Sequence, residues 1–444
     1  MSSITQTLPS HWKYVSEGGA TIVFSYVGPP NSPYDGMVLR LRKAVNENTL
    51  AAGPVDEDER DDPTIEYQTR CMEQLFPQEN LPLLQSAGLE KAWLERLAKE
   101  HEISRPEART GKDHIDFSRK KGVLATDLVG GGWIAVEVKP KWAFFPSATH
   151  LSEETKMIKT RTCRFCMHSF MRRQKSQKYV NNYCPLDLFS GRADRVHRAV
   201  SHLWDAWEHS DGSVNNLKVF ARGKVVLPSR TERLLADNLR GNPTFEQIRK
   251  AFQEALSDTL LNSPVLTIIS RLQRSLDVLD IEGLSKLWQE AELQSSSYQS
   301  TLNSYFEQPI PHERIPPLGV SSMYLPEPEP SISDWVEFLD IFHSPQAAQM
   351  DHTRPKIENL RYYLLAYLLS ATLKDCSIIV KLDFLEPESQ DERKLHPVAV
   401  IDLDPKSLDR LQRWEKLDQE IVSSYTPMER KICIDGWVEL SSGL

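Results

Sequence analysis

The chain has 444 residues, of which 40% are hydrophobic and 26% are charged, an ordinary composition for a globular protein. This length exceeds that of one ordinary domain, so we expect two closely packed lobes or a few domains. The formal net charge of -9 argues against an unspecific nucleic-acid coat, because such proteins carry an excess of Lys and Arg. Composition therefore excludes fibrous, broadly disordered and unspecific nucleic-acid-binding proteins.

Cysteine content and targeting signals bear on the cellular compartment. Six cysteines in so long a chain do not make a disulfide scaffold, which favours a reducing compartment. Residues 1–15 lack the basic start and apolar stretch of a secretory signal, and the apolar stretch 362–373 is shorter than the roughly 20 residues that span a bilayer. We expect an intracellular protein of the nucleus, the cytoplasm or both, with no membrane or direct nucleic-acid partner, that acts as a monomer.

Strand patterns begin the chain. Residues 20–27 (ATIVFSYV) and 37–42 (MVLRLR) predict two strands with a connection rich in turn-forming residues, so the chain opens with a hairpin. Gly18 and Gly19 lie just before the first strand, where the absence of a side chain lets the backbone approach a ligand closely. A simple turn explains the same two glycines, so alone they are weak support for a ligand site.

The middle of the chain is mostly helical by pattern. Residues 67–75 and 89–97 show helical periodicity, and from about residue 190 apolar stripes continue through 245–293. Seven prolines between positions 309 and 330 predict a long irregular insert, at about 305–332.

A third strand is predicted at residues 133–139 (WIAVEVK), where alternation should put Glu137 and Lys139 on one face. Pro140 separates Lys139 from Lys141 just beyond this strand, and such lysines can bind phosphates as point charges. A solvated strand end is the simpler explanation of the two lysines taken alone.

A late hairpin is predicted from residues 376–382 (CSIIVKL) and 397–403 (PVAVIDL). Asp375 immediately precedes the first of these strands and Asp402 ends the second. An antiparallel pairing would therefore place both carboxylates at the same end of the hairpin.

Charged and aromatic residues recur every four positions near the C-terminus, at Asp402, Lys406, Arg410 and Trp414. If a helix starts after Pro405, these side chains lie along one face of it. An exposed ladder of charges on a solvated helix explains the pattern equally well.

Phosphoryl transfer needs a glycine-rich cover over the nucleotide, a cation on a neighbouring strand, a carboxylate near the acceptor hydroxyl and another for magnesium. The glycine turn at 18–19, Arg40, Asp375 and Asp402 supply these parts in the order found in protein kinases. The V-A-I-K, H-R-D and D-F-G signatures are missing, so we do not expect a protein kinase.

Seven motifs in order along nearly the whole chain resemble the inositol-pentakisphosphate 2-kinase family, and fungal members in particular. These are EGGA at 17–20, RPEAR at 105–109, EVKPKW at 137–142, CRFCMHSFMR at 163–172, PLDLFSG at 185–191, KDCSI at 374–378 and IDLDPK at 401–406. The resemblance implies a two-lobed α+β inositol polyphosphate kinase fold. It implies an N-lobe at 1–127, made of an antiparallel sheet plus helices, which covers the nucleotide. It also implies a larger helix-rich C-lobe at 128–444, which binds the inositol phosphate and carries a catalytic β-hairpin.

The resemblance also implies a function, the transfer of the γ-phosphate of MgATP to the 2-hydroxyl of inositol 1,3,4,5,6-pentakisphosphate to give inositol hexakisphosphate (phytate). Two alternatives stay open, a noncatalytic inositol-phosphate sensor or scaffold and an inositol-phosphate kinase of different positional specificity. Loss of Asp375, Asp402 or the glycine turn would mark a sensor, and this sequence retains all of them.

Roles in nucleotide binding and catalysis come from the resemblance alone. It implies that Asp375 is the general base, that Asp402 holds Mg2+, and that Lys139 with Arg40 neutralises charge on the transferring group. The backbone of residues 126–128 would meet the adenine edge. The implied ATP-binding residues are Gly18, Gly19, Ala20, Thr21, Arg40, Thr126, Asp127, Leu128, Glu137, Lys139 and Asp402.

The inositol-phosphate site is also implied by the resemblance. Each phosphate carries about 1.5 to 2 negative charges, so five of them need many cations, and a local basic cavity can supply these in an acidic chain. Trp414 stands where the family has tyrosine, and its indole can only donate a hydrogen bond. The implied substrate residues are Arg109, Lys139, Lys141, His168, Arg172, Asn215, Asn216, Asp375, Lys406, Arg410 and Trp414.

A zinc site is a further candidate, because Cys163, Cys166, His168 and Cys184 could supply four ligands and C-x-x-C is a recurring zinc spacing. Reduced buried thiols explain the same cysteines, since Cys commonly behaves as a small hydrophobe. Some family members carry a structural zinc site of Cys and His before the catalytic aspartate, but residues 300–352 contain no cysteine here. We therefore expect no metal other than Mg2+.

Overall fold

The computed structural model has a mixed α+β fold, which confirms the predicted class, and it describes residues 4–45, 59–131, 133–176, 181–230, 244–305, 328–382, 397–425 and 431–436. Most of the Pro-rich insert predicted at about 305–332 lies outside these residues. The strands are β1 Trp12–Glu17, β2 Thr21–Tyr26, β3 Met37–Val45, β4 Leu84–Gly88, β5 Asp113–Ile115, β6 Lys121–Thr126, β7 Ile134–Val138, β8 Leu217–Ala221, β9 Lys224–Val226, β10 Ser377–Leu382 and β11 Val398–Ile401.

Helices occur in the regions predicted at 89–97 and 245–293, whereas the predicted segment 67–75 is α-helical only to Arg70 and continues as a 3-10 turn at Met72–Gln74. The helices are α1 Pro63–Arg70, α2 Lys91–His101, α3 Glu107–Thr110, α4 Glu153–Lys159, α5 Arg164–Ser176, α6 Pro185–Leu188, α7 Ala193–His209, α8 Phe245–Asn262, α9 Val265–Leu276, α10 Asp280–Tyr305, α11 Ile332–His343, α12 Pro345–Ala348, α13 Leu360–Asp375 and α14 Leu411–Ser424. None of the helices in the described part of the chain is long and apolar enough to cross a membrane.

Contacts divide the chain into two compact units. The first unit comprises Met1–Lys139, Trp207–Val265 and Ser377–Leu403, and the second comprises Pro140–Ala206, Leu266–Cys376 and Asp404–Leu444. Contacts thus group the late hairpin with the first unit. The proposed nucleotide-covering lobe 1–127 and inositol-phosphate lobe 128–444 stay a prediction.

The first unit contains an antiparallel sheet of order β1-β2-β3-β6-β4, with β5 paired to β3. Ile22 and Phe24 alternate with less buried residues along β2, and they pack with Trp93 of α2 in one hydrophobic cluster. Fully burying such a side chain contributes about 1.5–3 kcal/mol, so this cluster fixes α2 on the sheet. The predicted opening hairpin is confirmed as β2 and β3, but β1 precedes it and was not predicted.

A buried network of four charges fixes the end of β1, next to the glycine turn. Lys43 Nζ lies 3.0 Å from Glu17 and 2.9 Å from Asp113, and Arg105 lies 2.8 Å and 2.6 Å from the same two carboxylates. Burial disfavours the ionised carboxylates, but Arg105 and Lys43 outweigh it and hold the pKa values of Glu17 and Asp113 below the ordinary range. Their contribution to stability is therefore present at neutral pH and is lost as the pH falls through these lowered pKa values.

The second sheet of the first unit has the order β11-β10-β7-β8-β9, with every pair antiparallel. The predicted late hairpin is confirmed, and Ser377 of β10 pairs with Ile401 of β11. Sequence reasoning missed β8 and β9 within its helical region. They are joined by Arg222 and Gly223, both at positive φ (50° and 74°), as a two-residue hairpin turn requires.

The second unit is helical, and α4, α5 and α14 share a hydrophobic cluster through residues such as Met167 and Ile421. The condition that a helix starts directly after Pro405 is not met, because the chain first forms a 3-10 turn at Leu408–Arg410 and α14 begins at Leu411. Ser407 is extended and donates from Oγ to Glu329 at 2.5 Å, and the Leu408 N–H donates to the same carboxylate. These contacts hold residues 404–407 outside any helix, so the charges at 402, 406 and 410 do not share a helical face.

The buried network next to the glycine turn generates a stability prediction. Lys43→Met should lower the free energy of unfolding by about 3–5 kcal/mol, because it leaves buried carboxylates without one of their cations. Urea unfolding measures this loss. The control Lys91→Met removes an exposed pair with Glu95 at 3.9 Å and should change stability by at most about 1 kcal/mol. Equal small effects in both variants would contradict a structural role for Lys43.

Candidate active site

The glycine turn between β1 and β2 is open. The Gly18 N–H donates to Thr21 O at 2.9 Å and closes the turn, while Gly18, Gly19 and Ala20 are exposed. A Cβ atom built on Gly18 or Gly19 would meet no other atom within 4 Å. The fold itself therefore leaves room for side chains here, and the bare backbone suits close approach by a ligand. Arg40 lies on β3, where it pairs with Val23 of β2.

Residues 126–128, predicted to meet the adenine, form the end of β6 and a tight turn. Asp127 is buried, accepts a hydrogen bond from Ser25 Oγ, and accepts the N–H groups of Val129 and Gly130 at 3.1 Å and 2.7 Å. The N–H groups of Thr126 and Asp127 already donate to Leu83 O and Gly36 O. If this segment binds adenine, the other backbone groups of the segment would make the hydrogen bonds.

Two lysines and two carboxylates meet at the ends of β7 and β11 in the first unit. Lys139 Nζ lies 3.1 Å from Asp402 and 4.0 Å from Glu137, so the expectation that Glu137 and Lys139 share a face is confirmed. Ser377 Oγ lies 2.9 Å from Asp402 and 3.0 Å from Glu137, and Lys218 binds the second oxygen of Glu137 at 3.0 Å. Sequence reasoning missed Ser377 and Lys218, although Ser377 belongs to the KDCSI motif.

Asp402 and Lys141 adopt left-handed backbone conformations, with φ of 61° and 67°. Such conformations cost a non-glycine residue about 1–3 kcal/mol, and they tend to cluster at functional sites. Lys141 lies just beyond β7 and Asp402 just beyond β11, where the change in backbone direction determines which way each side chain points. This observation supports a functional role for both positions.

A carboxylate held between two lysines lies in the second unit. Asp375 ends α13, and its two oxygens lie 3.0 Å from Lys141 Nζ and 3.2 Å from Lys406 Nζ. Burial works to raise the pKa of Asp375, but the two lysines outweigh it and hold the pKa below its ordinary value. Asp375 is therefore ionised at neutral pH.

Gln273 of α9 was missed by sequence reasoning and ties the two segments of this cluster together. Its fully buried amide donates to Lys141 O and Leu373 O, both at 3.0 Å, and its carbonyl oxygen accepts the Ala143 N–H at 2.9 Å. One side chain thus fixes the backbone of Lys141 relative to the end of the helix that carries Asp375.

Helix α5 lies in a positive environment. Burial and then the charges of Arg172, Arg164, Lys141 and Lys175 lower the pKa of His168 from 6.5 to about 4. Arg172 is exposed one helical turn beyond His168. His168 is therefore neutral at physiological pH, and the cations around it are placed to attract an anion.

The remaining predicted substrate residues differ in exposure. Asn216 is buried, donates from Nδ2 to Lys139 O at 3.2 Å and accepts the Lys139 N–H at 3.0 Å, so it positions the Lys139 backbone. Arg109, Asn215 and Arg410 are exposed.

Trp414 packs its ring against Tyr367 with a centroid distance of 6.2 Å, so part of its surface is used for packing. The implied substrate residues of the first unit are Arg109, Lys139, Asn215 and Asn216, and those of the second are Lys141, His168, Arg172, Asp375, Lys406, Arg410 and Trp414.

The positive environment of α5 can be tested by NMR titration of His168. We expect a pKa near 4, and a rise in Arg172→Gln because one of the charges that oppose protonation is removed. Between pH 6.5 and 4 the unfolded chain would bind a proton that the folded chain excludes, so this residue lowers stability as the pH falls. Arg96→Gln is the control for losing an exposed arginine. A pKa near 6.5 in the unaltered protein would contradict the positive environment.

Comparisons with known proteins give a consistent result. A sequence model of the family described as inositol-pentakisphosphate 2-kinase matches residues 14–420. The curated inositol-pentakisphosphate 2-kinase of Cryptococcus neoformans is 34% identical over 94% of this chain and 93% of the relative. Proteins of the same name from Arabidopsis thaliana and Danio rerio are 26% and 25% identical, over 95% and 93% of this chain and 94% and 92% of theirs. The chain therefore belongs to the inositol-pentakisphosphate 2-kinase family.

Proposed function

We propose that this protein transfers the γ-phosphate of ATP to the 2-hydroxyl of inositol 1,3,4,5,6-pentakisphosphate and so forms inositol hexakisphosphate. The observation that carries the proposal is Asp375 held between Lys141 and Lys406, an ionised carboxylate flanked by two cations. The names of relatives that match nearly the full length of the chain support the same substrate.

Asp375 is the proton acceptor in this proposal. Its lowered pKa keeps the carboxylate ionised, so it can orient the acceptor hydroxyl and take its proton as the new bond to phosphorus forms. Lys141 and Lys406 bring positive charge to the same carboxylate, and they would also bind phosphates of the inositol as point charges. A single cluster thereby positions both the acceptor hydroxyl and its neighbouring phosphates.

The first unit binds ATP in this proposal. The exposed glycine turn covers the phosphates with bare backbone, and Arg40 and Lys139 neutralise their charge. Because phosphoryl transfer involves little covalent chemistry by the protein, positioning and charge neutralisation account for most of the catalysis.

Mg2+ fits the residues present near the end of β11. Asp402 and Glu137 both approach Ser377 Oγ within 3.0 Å, and carboxylate and hydroxyl oxygens are ligands that Mg2+ accepts. Asp402 would hold the ion, and Glu137 would face the same nucleotide phosphates. Bound Mg2+ supplies neutralisation of the charge on the phosphate oxygens.

The basic residues of the second unit bind the inositol phosphates. Lys141, Arg172, Lys406 and Arg410 would contact phosphates, which each carry about 1.5–2 negative charges at pH 7. His168, neutral with a pKa of about 4, can donate one ring N–H without adding charge.

Substitution of Asp375 tests the assignment of the base. Asp375→Asn keeps the shape of the side chain but cannot take the proton, so turnover should fall by about 10²- to 10⁴-fold. Purified protein is incubated with MgATP and a panel of inositol phosphates, and products are resolved by chromatography. Asp409→Asn, at an exposed position, is the control and should retain activity. Near-normal turnover by Asp375→Asn with an unchanged melting temperature would show that the base is another group.

The same panel separates the alternative functions. ATP-dependent formation of inositol hexakisphosphate from the pentakisphosphate supports the proposal. A new phosphate at another position would indicate different positional specificity, and binding without turnover would indicate a sensor.

The cations near the C-terminus generate a binding prediction. A charge-assisted hydrogen bond contributes about 1.5–3 kcal/mol, so Lys406→Ala with Arg410→Ala should raise the Kd for inositol pentakisphosphate by about 10²-fold or more. Titration calorimetry measures the Kd, and Arg413→Ala on the exposed surface of α14 is the matched control. An unchanged Kd in the double variant would show that neither side chain binds the substrate and that both are ordinary solvated surface residues.

A further inference from the structure

A buried ion pair lies next to the carboxylate that is proposed as the base. Lys374 is the last residue but one of α13, immediately before Asp375, and its ammonium pairs with Asp277 just beyond the end of α9. The side chains of Lys374 and Asp277 are only 3% and 6% exposed. We propose that these two are positioning residues for the reaction, which hold Asp375 in place relative to Lys141. This inference rests on the proposed function, because it takes Asp375 as the base.

Three aromatic rings lie close to the ammonium group of Lys374. Its Nζ atom lies 5.0 Å from the ring centroid of Tyr367, 5.3 Å from that of Phe144 and 5.8 Å from that of Trp142. A cation within about 6 Å of a ring centroid is attracted by the ring, and more strongly where water is excluded. The rings and the carboxylate of Asp277 together fix the position of a side chain that is otherwise long and flexible.

Two of these rings lead to residues of the proposed inositol-phosphate site. Trp142 directly follows Lys141 in the chain. Tyr367 packs against Trp414, which stands at a position of implied substrate contact. The ammonium of Lys374 therefore contacts both the segment that carries Lys141 and the packing partner of Trp414.

Helix α9 and the residue that follows it anchor this region. Gln273 binds Lys141 O and Leu373 O, and Asp277 lies one helical turn further along the chain. The other carboxylate oxygen of Asp277 accepts the Asp280 N–H at 3.1 Å, so this side chain cannot turn away without losing two contacts. The end of α13 is thus held at two successive residues, through a backbone carbonyl and through an ammonium group.

Stability alone does not require a charged pair at this place. Replacing a buried ion pair by apolar residues of similar volume is often neutral or stabilising, because burial removes the hydration of both charges. An ion pair adds directional contacts that hold the neighbouring backbone in one position. Asp375 is the neighbour here, and a misplacement of about 1 Å at a reacting group can cost about 10²-fold in rate.

A double substitution that keeps the fold tests the inference. Lys374→Met with Asp277→Leu replaces both charges by apolar side chains of similar size, so the melting temperature should change little while kcat falls by about 10- to 10²-fold. KM for ATP and for inositol pentakisphosphate should change less than kcat, because the cations that bind phosphates are retained. Lys374→Arg keeps a cation that can lie against the rings and should recover part of kcat.

A milder variant covers the case in which the double variant does not fold. Asp277→Asn keeps the size of the side chain and its bond from the Asp280 N–H, but it loses the charge that holds the ammonium. Its kcat should again fall more than its KM rises. Tyr363→Phe is the matched control, because it removes a buried contact with His352 earlier in the same helix, and it should leave kcat unchanged.

The outcomes separate this inference from the proposed function. Unchanged kcat in the folded double variant or in Asp277→Asn would overturn the inference, as would a fall in kcat that only follows a smaller fraction of folded protein. Asp375→Asn is assayed alongside. Its loss of turnover beside normal kcat in the pair variants would overturn only the positioning role, whereas its full turnover would overturn the base assignment and this inference with it.

Discussion

Ion pairs between lysines and carboxylates are the interaction on which the candidate site depends. Lys141 and Lys406 would repel each other if they were brought together alone, and Asp375 between them removes that cost. Lys139 and Lys218 are paired with Asp402 and Glu137 in the same way in the first unit. The protein can therefore fold with clustered cations before any polyanion arrives.

This pairing explains how an acidic chain can bind a highly charged anion. The net charge is -9, yet the pKa of His168 is lowered to about 4 by burial and then by the local charges of Arg172 and its neighbours. Local field, rather than net charge, governs the capture of a small anion.

Sequence reasoning succeeded at the late hairpin, missed the short β8–β9 hairpin, and failed at several positions where a distant residue decides the structure. Strand alternation predicted the late hairpin and the shared face of Glu137 and Lys139. The helix begins later than the residue after Pro405, because Glu329 binds Ser407 and Leu408 and Ser407 stays extended. Ser377 was missed because its partner Glu137 is far away in sequence, and no periodicity encodes such a contact.

The positive φ at Lys141 and Asp402 sets the direction in which these two side chains leave the backbone. A glycine would relieve a positive φ at either position, but it would remove the ammonium or the carboxylate with it. Gln273 compensates for the strain at Lys141, since a fully buried amide with its polar groups bonded holds the Lys141 backbone in place. Pre-organised charge of this kind stabilises a transition state more than mobile charge does, because no reorganisation is needed when the phosphoryl group moves.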